Sequence, residues 1–281
     1  VKVLVTGAKG LLGTEITSLL EKRAIDHIGV DLAELDITDA AAVERMISAE
    51  RPEVIINCAA YTAVDRAEAE EAIAVRVNGD GAGYVAKAAA KVSALMVHFS
   101  TDFIFDGESR TPYLPGDLPR PQSAYGRSKL AGERAVSAVG GDHLIIRTSW
   151  LYGAAGPNFV SSILKKASKG EALQVVNDQT GSPSWASNVA EVTLDLIRAG
   201  ARGVYHVTDY GETTWLGFAK RALAIRGLTV PITGLSGREW GAPAARPAYS
   251  VLDLSFTETL LGRRLEPWQD ALSRFLEDYQ S

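Results

Sequence analysis

A chain of 281 residues, 46% hydrophobic and 22% charged, is long enough for one large domain or for a domain with a lobe built onto it. Its net charge of -5 and the lack of a basic run argue against a nucleic-acid partner, yet leave small anions open, since local Arg, Lys and helix N-termini can hold them. A single Cys58 allows no intrachain disulfide, and no apolar run approaches the ~20 residues that span a bilayer, so a cytoplasmic protein without a membrane partner is expected.

The first apolar run, residues 2 to 6, leads straight into Gly7-Ala-Lys-Gly10-Leu-Leu-Gly13 and then into a helical pattern from Thr14 to Leu20. Strand, glycine loop and helix in that order give a tight turn, close backbone approach to a pyrophosphate, and a helix N-terminus facing the anion. The second strand, Ile28-Gly-Val-Asp31, ends in an acid about twenty residues past the loop, where a carboxylate can accept from an adenosine ribose hydroxyl. Asp31 argues for tolerance of NAD. It leaves NADP open, because a nearby Arg or Lys can take the extra phosphate.

A helix over 39–50 and the strand Val54-Ile-Ile-Asn57 follow, with Ala59-Ala60-Tyr61 just after, small enough at first for a cofactor to lie close to the backbone. Cys58 reads as a buried strand-end thiol rather than a nucleophile. The Ala-rich segment from Glu68 to Lys91 has helical periodicity, and Leu95-Met-Val-His-Phe99 is the next strand, running into Ser100-Thr101-Asp102. This alternation implies an α/β fold with a Rossmann-like, doubly wound parallel sheet. Ligands sit beyond the C-terminal strand ends of such sheets, where Gly7, Asp31, Ala60 and Thr101 all fall.

Ser123-Ala-Tyr-Gly-Arg-Ser-Lys129 places a phenol and an ammonium four residues apart on one helical face. A neighbouring positive charge favours phenolate, moving a group with a resting pKa of about 10 toward working pH and making Tyr125 a candidate acid or base. Alone the pair is a weak signal; the glycine loop and the strand ending at Thr101 strengthen it. Past the strand Leu144 to Trp150 the alternation loosens. Polar residues from Gln174 to Ser184 suit a substrate cleft, helices are expected over 187–198, 214–226 and 267–279, and 231–247 reads as a Pro- and Gly-rich connector. Residues 1–150 thus form the expected dinucleotide-binding core, joined by some later segments, and 151–281 mainly a substrate-binding lobe. The four His residues are isolated, so no metal site is expected.

Six stretches resemble the extended short-chain dehydrogenase/reductase family and, within it, the dTDP-4-dehydrorhamnose reductases. They are Gly7 to Gly13, Asn57-Cys-Ala-Ala-Tyr-Thr-Ala-Val-Asp65, Ser100-Thr-Asp-Phe-Ile-Phe-Asp106, Tyr125-Gly-Arg-Ser-Lys129, Arg147-Thr-Ser-Trp150 and Asn177-Asp-Gln-Thr-Gly-Ser-Pro183. Thr213-Thr-Trp215 and Ala245-Arg-Pro247 followed by Ser250 extend the resemblance over nearly the whole chain. Ser128 and Ser184 stand where Thr is expected, and each keeps a hydroxyl.

The resemblance implies reduction of the C4 ketone of dTDP-4-dehydro-L-rhamnose to dTDP-L-rhamnose by NADPH, with NADH also plausible. It implies cofactor contacts along Gly7, Gly10, Leu11, Leu12, Gly13, Asp31, Asp36, Ile37, Ala59, Ala60 and Tyr61. Tyr125 would give the proton, Lys129 would bind the nicotinamide ribose and favour the phenolate, and Thr101 would orient the ketone oxygen. Asp102 and Trp150 would contact the sugar and Arg246 a substrate phosphate; for Trp150 a core aromatic at a strand end is an equal alternative. The chain would be a monomer or homodimer. Two rivals remain: a reductase of another nucleotide-linked 4-keto-6-deoxysugar, and a catalytically silent NADP-binding regulatory subunit on the same fold.

Overall fold

The computed structural model describes residues 1–279, and its centre is a six-stranded, all-parallel sheet. Five strands come early: β1 Val3–Thr6, β2 His27–Val30, β3 Val54–Asn57, β4 Leu95–Thr101 and β5 His143–Thr148. The sixth, Gly203–His206, pairs with β5, giving the order Gly203–His206, β5, β4, β3, β1, β2. β1, β3 and β4 are buried throughout, which is why they read as unbroken apolar runs rather than alternating ones. Alternate residues nevertheless serve different layers. Val3, Val5 and Ile56 pack with the helices α1 Leu11–Lys22 and Ala186–Arg198, while Leu4 and Ile55 pack with the helices Ala40–Glu50 and Ala82–Lys91. Each such fully buried Leu, Ile or Val side chain contributes roughly 1.5–3 kcal/mol, so both layers hold the sheet firmly.

The expected single helix from Glu68 to Lys91 is instead three pieces: Glu71–Val75, a π turn over Arg76–Gly81, and Ala82–Lys91. Asn78 gives the reason. Its buried side chain accepts from the Tyr61 backbone N–H at 2.8 Å and donates to the Tyr61 carbonyl at 3.0 Å and to Ser128 Oγ at 2.8 Å, and the widened turn lets it face inward.

The second lobe gathers Phe159–Ala167, Trp215–Ile225 and Trp268–Asp278 around Tyr152, Phe218, Leu272 and Phe275. The expected connector 231–247 carries a strand, Ile232–Leu235, in parallel register with Leu173–Val176, and a short helix, Gly237–Trp240. A four-residue run containing Gly234 is too weak a local pattern to announce a strand; its distant partner completes it. Residues 186–206 return to the sheet layer, where Ala186–Arg198 packs against α1. Among the described residues, no helix is long and apolar enough to cross a membrane, and no group of three or more His, Cys, Asp or Glu could hold a metal ion.

Candidate active site

The chain runs from β1 outward to β2 and then back across to β3, so the direction of winding reverses between β1 and β3. A crevice forms beyond the strand ends at such a reversal. There Gly7 has φ +66°, and a Cβ on it would lie 2.6 Å from the Ala59 backbone nitrogen; one on Gly13 would lie 2.1 Å from the Gly7 carbonyl oxygen. Only glycine fits either position. Helix α1 starts after Gly10, which offers no capping side chain, so the first-turn N–H groups of Leu11, Leu12 and Gly13 face the crevice as anion donors. The Leu12 side chain itself points into the core.

A cavity of about 440 Å³ beside this loop is lined by Gly7, Gly10, Asp31, Asp36, Ile37, Ala59, Ala60 and Tyr61. Lys9 and Leu32 line it too, and sequence reasoning assigned neither a role. Asp31 accepts from the Lys9 backbone N–H at 2.9 Å and the Leu32 N–H at 2.8 Å, while Lys9 Nζ pairs with Glu34 at 3.1 Å. Leu32, 70% exposed, is an apolar side chain left in water at the mouth of the cavity, a signal that needs solvent exposure to be seen. Asp36 is turned to the Thr38 backbone N–H and hydroxyl, both at 2.8 Å, and these two bonds hold its carboxyl below the usual range. Tyr61 turns its phenol away, donating to Glu70 at 2.6 Å.

Thr101, Tyr125 and Lys129 come together at the end of β4. Ser123 caps the helix Ala124–Ala138 by accepting from the Gly126 N–H at 3.1 Å, which sets Tyr125 and Lys129 on the face turned to β4. Lys129 is buried, and its Nζ donates to the Phe99 carbonyl at 2.6 Å. Half-buried Tyr125 meets the Phe103 ring edge-on at 5.6 Å and lies within hydrogen-bond reach of the Thr101 hydroxyl, which also donates to Asp102 at 3.0 Å.

The expectation that Lys129 acidifies Tyr125 is corrected here. Burial pushes the phenol up to about 12; the Thr101 hydroxyl opposes this, and the charge of Asp102 adds to it. The lysine ammonium is spent on the Phe99 carbonyl and is itself pulled down to about 8 by burial, against the attraction of Glu133. Burial also raises Asp102 to about 6, with the Ser250 and Thr101 hydroxyls opposing. At neutral pH the phenol therefore keeps its proton and the lysine is largely charged, which makes this a donor site.

Just past β5, Trp150 adopts φ +45°, stacks on Trp215 with centroids 3.6 Å apart, and presses against Gly181, where a Cβ would lie 2.6 Å from the indole. Arg246 is held by Asp65 in a bidentate pair at 2.9 and 3.0 Å and also donates to the Ala244 carbonyl. Arg246 and Trp215 line a second cavity of about 330 Å³ with Phe159, Val176, Gln179 and Trp240. Of these, Trp215 and Gln179 lie in the motifs read from the sequence, whereas Phe159 and Trp240 carry no local signal that separates them from core aromatics. Asn78, which ties the loop after β3 to the Tyr125 helix, was also missed.

The whole chain has close relatives. It is 41% identical over 280 residues to the dTDP-4-dehydrorhamnose reductase of Streptomyces griseus, covering 96% of this chain and 91% of that protein. It is 40% identical over 256 residues to the dTDP-4-keto-6-deoxy-D-glucose reductase of Streptomyces niveus, covering 89% and 87%. The crystal structure of the Bacillus anthracis dTDP-4-dehydrorhamnose reductase in complex with NADP superposes with a TM-score of 0.96 at 37% identity over 99% of both chains. Residues 1–281 match the family described as the RmlD substrate binding domain, and the chain belongs to that family.

Proposed function

We propose that the chain is an NADPH-dependent reductase of the C4 ketone of dTDP-4-dehydro-L-rhamnose, forming dTDP-L-rhamnose in the cytoplasm. The observation that carries this reading is a Tyr125 phenol that stays protonated beside Thr101 and Lys129, two strands over from a glycine cradle too tight for any Cβ. The cradle, the uncapped start of α1 and the 440 Å³ cavity fit a dinucleotide. Gly7, Gly10 and the N–H groups of Leu11, Leu12 and Gly13 would hold its pyrophosphate, Asp31 and Lys9 its adenosine ribose, and Ala59, Ala60 and Tyr61 its path toward Lys129. When bound, its nicotinamide supplies hydride.

As C4 is reduced, negative charge grows on O4, and a donor already in place stabilises it without reorganisation. Tyr125 gives O4 its proton, Thr101 orients that oxygen, and the Lys129 ammonium binds the nicotinamide ribose. Asp102 accepts from a sugar hydroxyl. The second cavity takes the substrate's nucleotide end, with Arg246 toward the phosphates, and Trp150 acts through the Trp215 ring that it supports.

Asp31→Ala is expected to move cofactor preference toward NADPH, because a carboxylate beside the ribose repels a 2′-phosphate. The ratio of kcat/KM for NADPH over NADH measures this, and a variant that loses NADPH more than NADH removes Asp31 from that position. The function itself is tested by supplying dTDP-4-dehydro-L-rhamnose and its C3,C5 double epimer, dTDP-4-keto-6-deoxy-D-glucose, with NADPH and identifying the product at C4. Turnover of the second substrate alone would favour the reading suggested by the Streptomyces niveus relative; tight NADPH binding with neither sugar reduced would favour a silent subunit.

A further inference from the structure

The helix Ala124–Ala138 carries a third charged group on the Tyr125 and Lys129 face. Glu133 follows Lys129 by four residues, so it lies one turn farther along the same side. It is 6% exposed, and both carboxylate oxygens accept from Arg147 of β5, at 2.9 Å from Nε and 2.8 Å from Nη2. Arg147 is fixed in turn. Its Nη1 donates to the Pro115 carbonyl at 3.0 Å and lies 3.4 Å from His206 Nε2, and its guanidinium sits 5.3 Å above the Phe105 ring. Buried ion pairs add little net stability over apolar residues of similar volume, because desolvation offsets their attraction, so stability alone is a poor reason for this one.

We propose that Glu133, locked in place by Arg147, is a positioning residue that keeps the Lys129 ammonium charged for cofactor binding. This rests on the reductase reading for its kinetic readout. The other groups around Lys129 do not supply the needed negative charge. Cys58 stays a thiol because burial raises it far above its ordinary value, and His98 stays neutral because burial lowers it. Tyr125 keeps its proton, and Asp102 is engaged by the Thr101 and Ser250 hydroxyls and acts on Tyr125. On the elements packed against the helix, Glu68 accepts from the Ala124 N–H, Glu71 is bonded to Arg127, Asp65 is bonded to Arg246, and Arg66 to Glu70. Asp80, Tyr84 and Lys87 line a groove on the outer surface, and Arg76 faces Asp36. Glu133 is the carboxylate that acts on Lys129, opposing the burial that would strip its proton.

Lys129 loses its charge as pH rises, so Glu133→Gln should move the alkaline limb of the kcat/KM profile to lower pH by about one unit. The pH dependence of NADPH binding, measured by fluorescence with no sugar present, should move with it, and the loss should be greatest above pH 8 and smallest near pH 6. Glu133→Gln leaves Arg147 without its carboxylate and is at risk of misfolding; the double variant Glu133→Gln/Arg147→Met removes that guanidinium and should show a displacement in the same direction. Profiles that superimpose on wild type, or that fall equally at every pH with a lower Tm, overturn the proposal. So does a displacement present in the single variant and absent from the double, which would assign it to the freed arginine. If wild type reduces no keto-sugar, the binding profile still decides between these outcomes, so failure of the reductase reading is distinguishable from failure of this one.

Discussion

Tyr125→Phe is expected to lower kcat by roughly 10²- to 10⁴-fold, the usual worth of one positioned proton donor, while folding and NADPH affinity stay near wild type. The substitution deletes only the hydroxyl. The ring keeps its edge contact with Phe103, and Thr101 still has Asp102 as a hydrogen-bond acceptor, so the substitution does not strand the Thr101 hydroxyl. Stopped-flow reduction of the keto-sugar and a separate NADPH titration divide chemistry from binding. A variant with full turnover would remove Tyr125 from the reaction. The raised phenol also fixes a sign: a donor that deprotonates only near 12 cannot produce a fall in rate around pH 8, so any limb there belongs to another group.

That group is Lys129, and Lys129→Met is expected to weaken NADPH binding and turnover together, with kcat/KM falling by roughly 10²-fold or more. Methionine keeps much of the buried stem but leaves the Phe99 carbonyl without its donor, a cost of about 1–3 kcal/mol that should appear as a lower Tm. The ammonium, depressed to about 8, is present below that pH and lost as pH rises through it. Wild-type kcat/KM should therefore decline above pH 8, and in Lys129→Met the residual rate should be flat across that range. A decline that persists in the variant would assign the limb elsewhere.

The sheet and the cofactor crevice were legible because their signals are local. β1, β3 and β4 are apolar on both faces, the glycines at 7, 10 and 13 sit at one strand-to-helix junction, and Tyr125 and Lys129 are one helical turn apart. What the sequence hid depends on partners far along the chain. Asp65 binds Arg246 across 181 positions, so a candidate phosphate ligand turns out to have a carboxylate already on it. The strand Ile232–Leu235 exists through pairing with Leu173–Val176. The protonation of Tyr125 was misread for a related reason. Sequence spacing reveals the ammonium one turn away, but the depth of burial and the Asp102 charge behind Thr101 appear only in three dimensions. Trp150 was ambiguous between sugar contact and core, and the structure stacks it on Trp215, which lines the second cavity while Trp150 does not.

The wide turn at Arg76–Gly81 has a bearing on how this site tolerates change in chain length. A π turn is equivalent to one residue inserted into an ordinary helix, and each helical residue otherwise advances the face by about 100°. Confining the extra residue to one turn absorbs that rotation locally, so Glu71–Val75 and Ala82–Lys91 both keep their angular phase against the layers they pack on. Asn78 is thereby turned inward to the loop after β3 and to Ser128. The segment is thus a seam where gain or loss of a single residue would be felt first by the alignment of the Tyr125 helix with the cofactor loop, and only secondarily by the core.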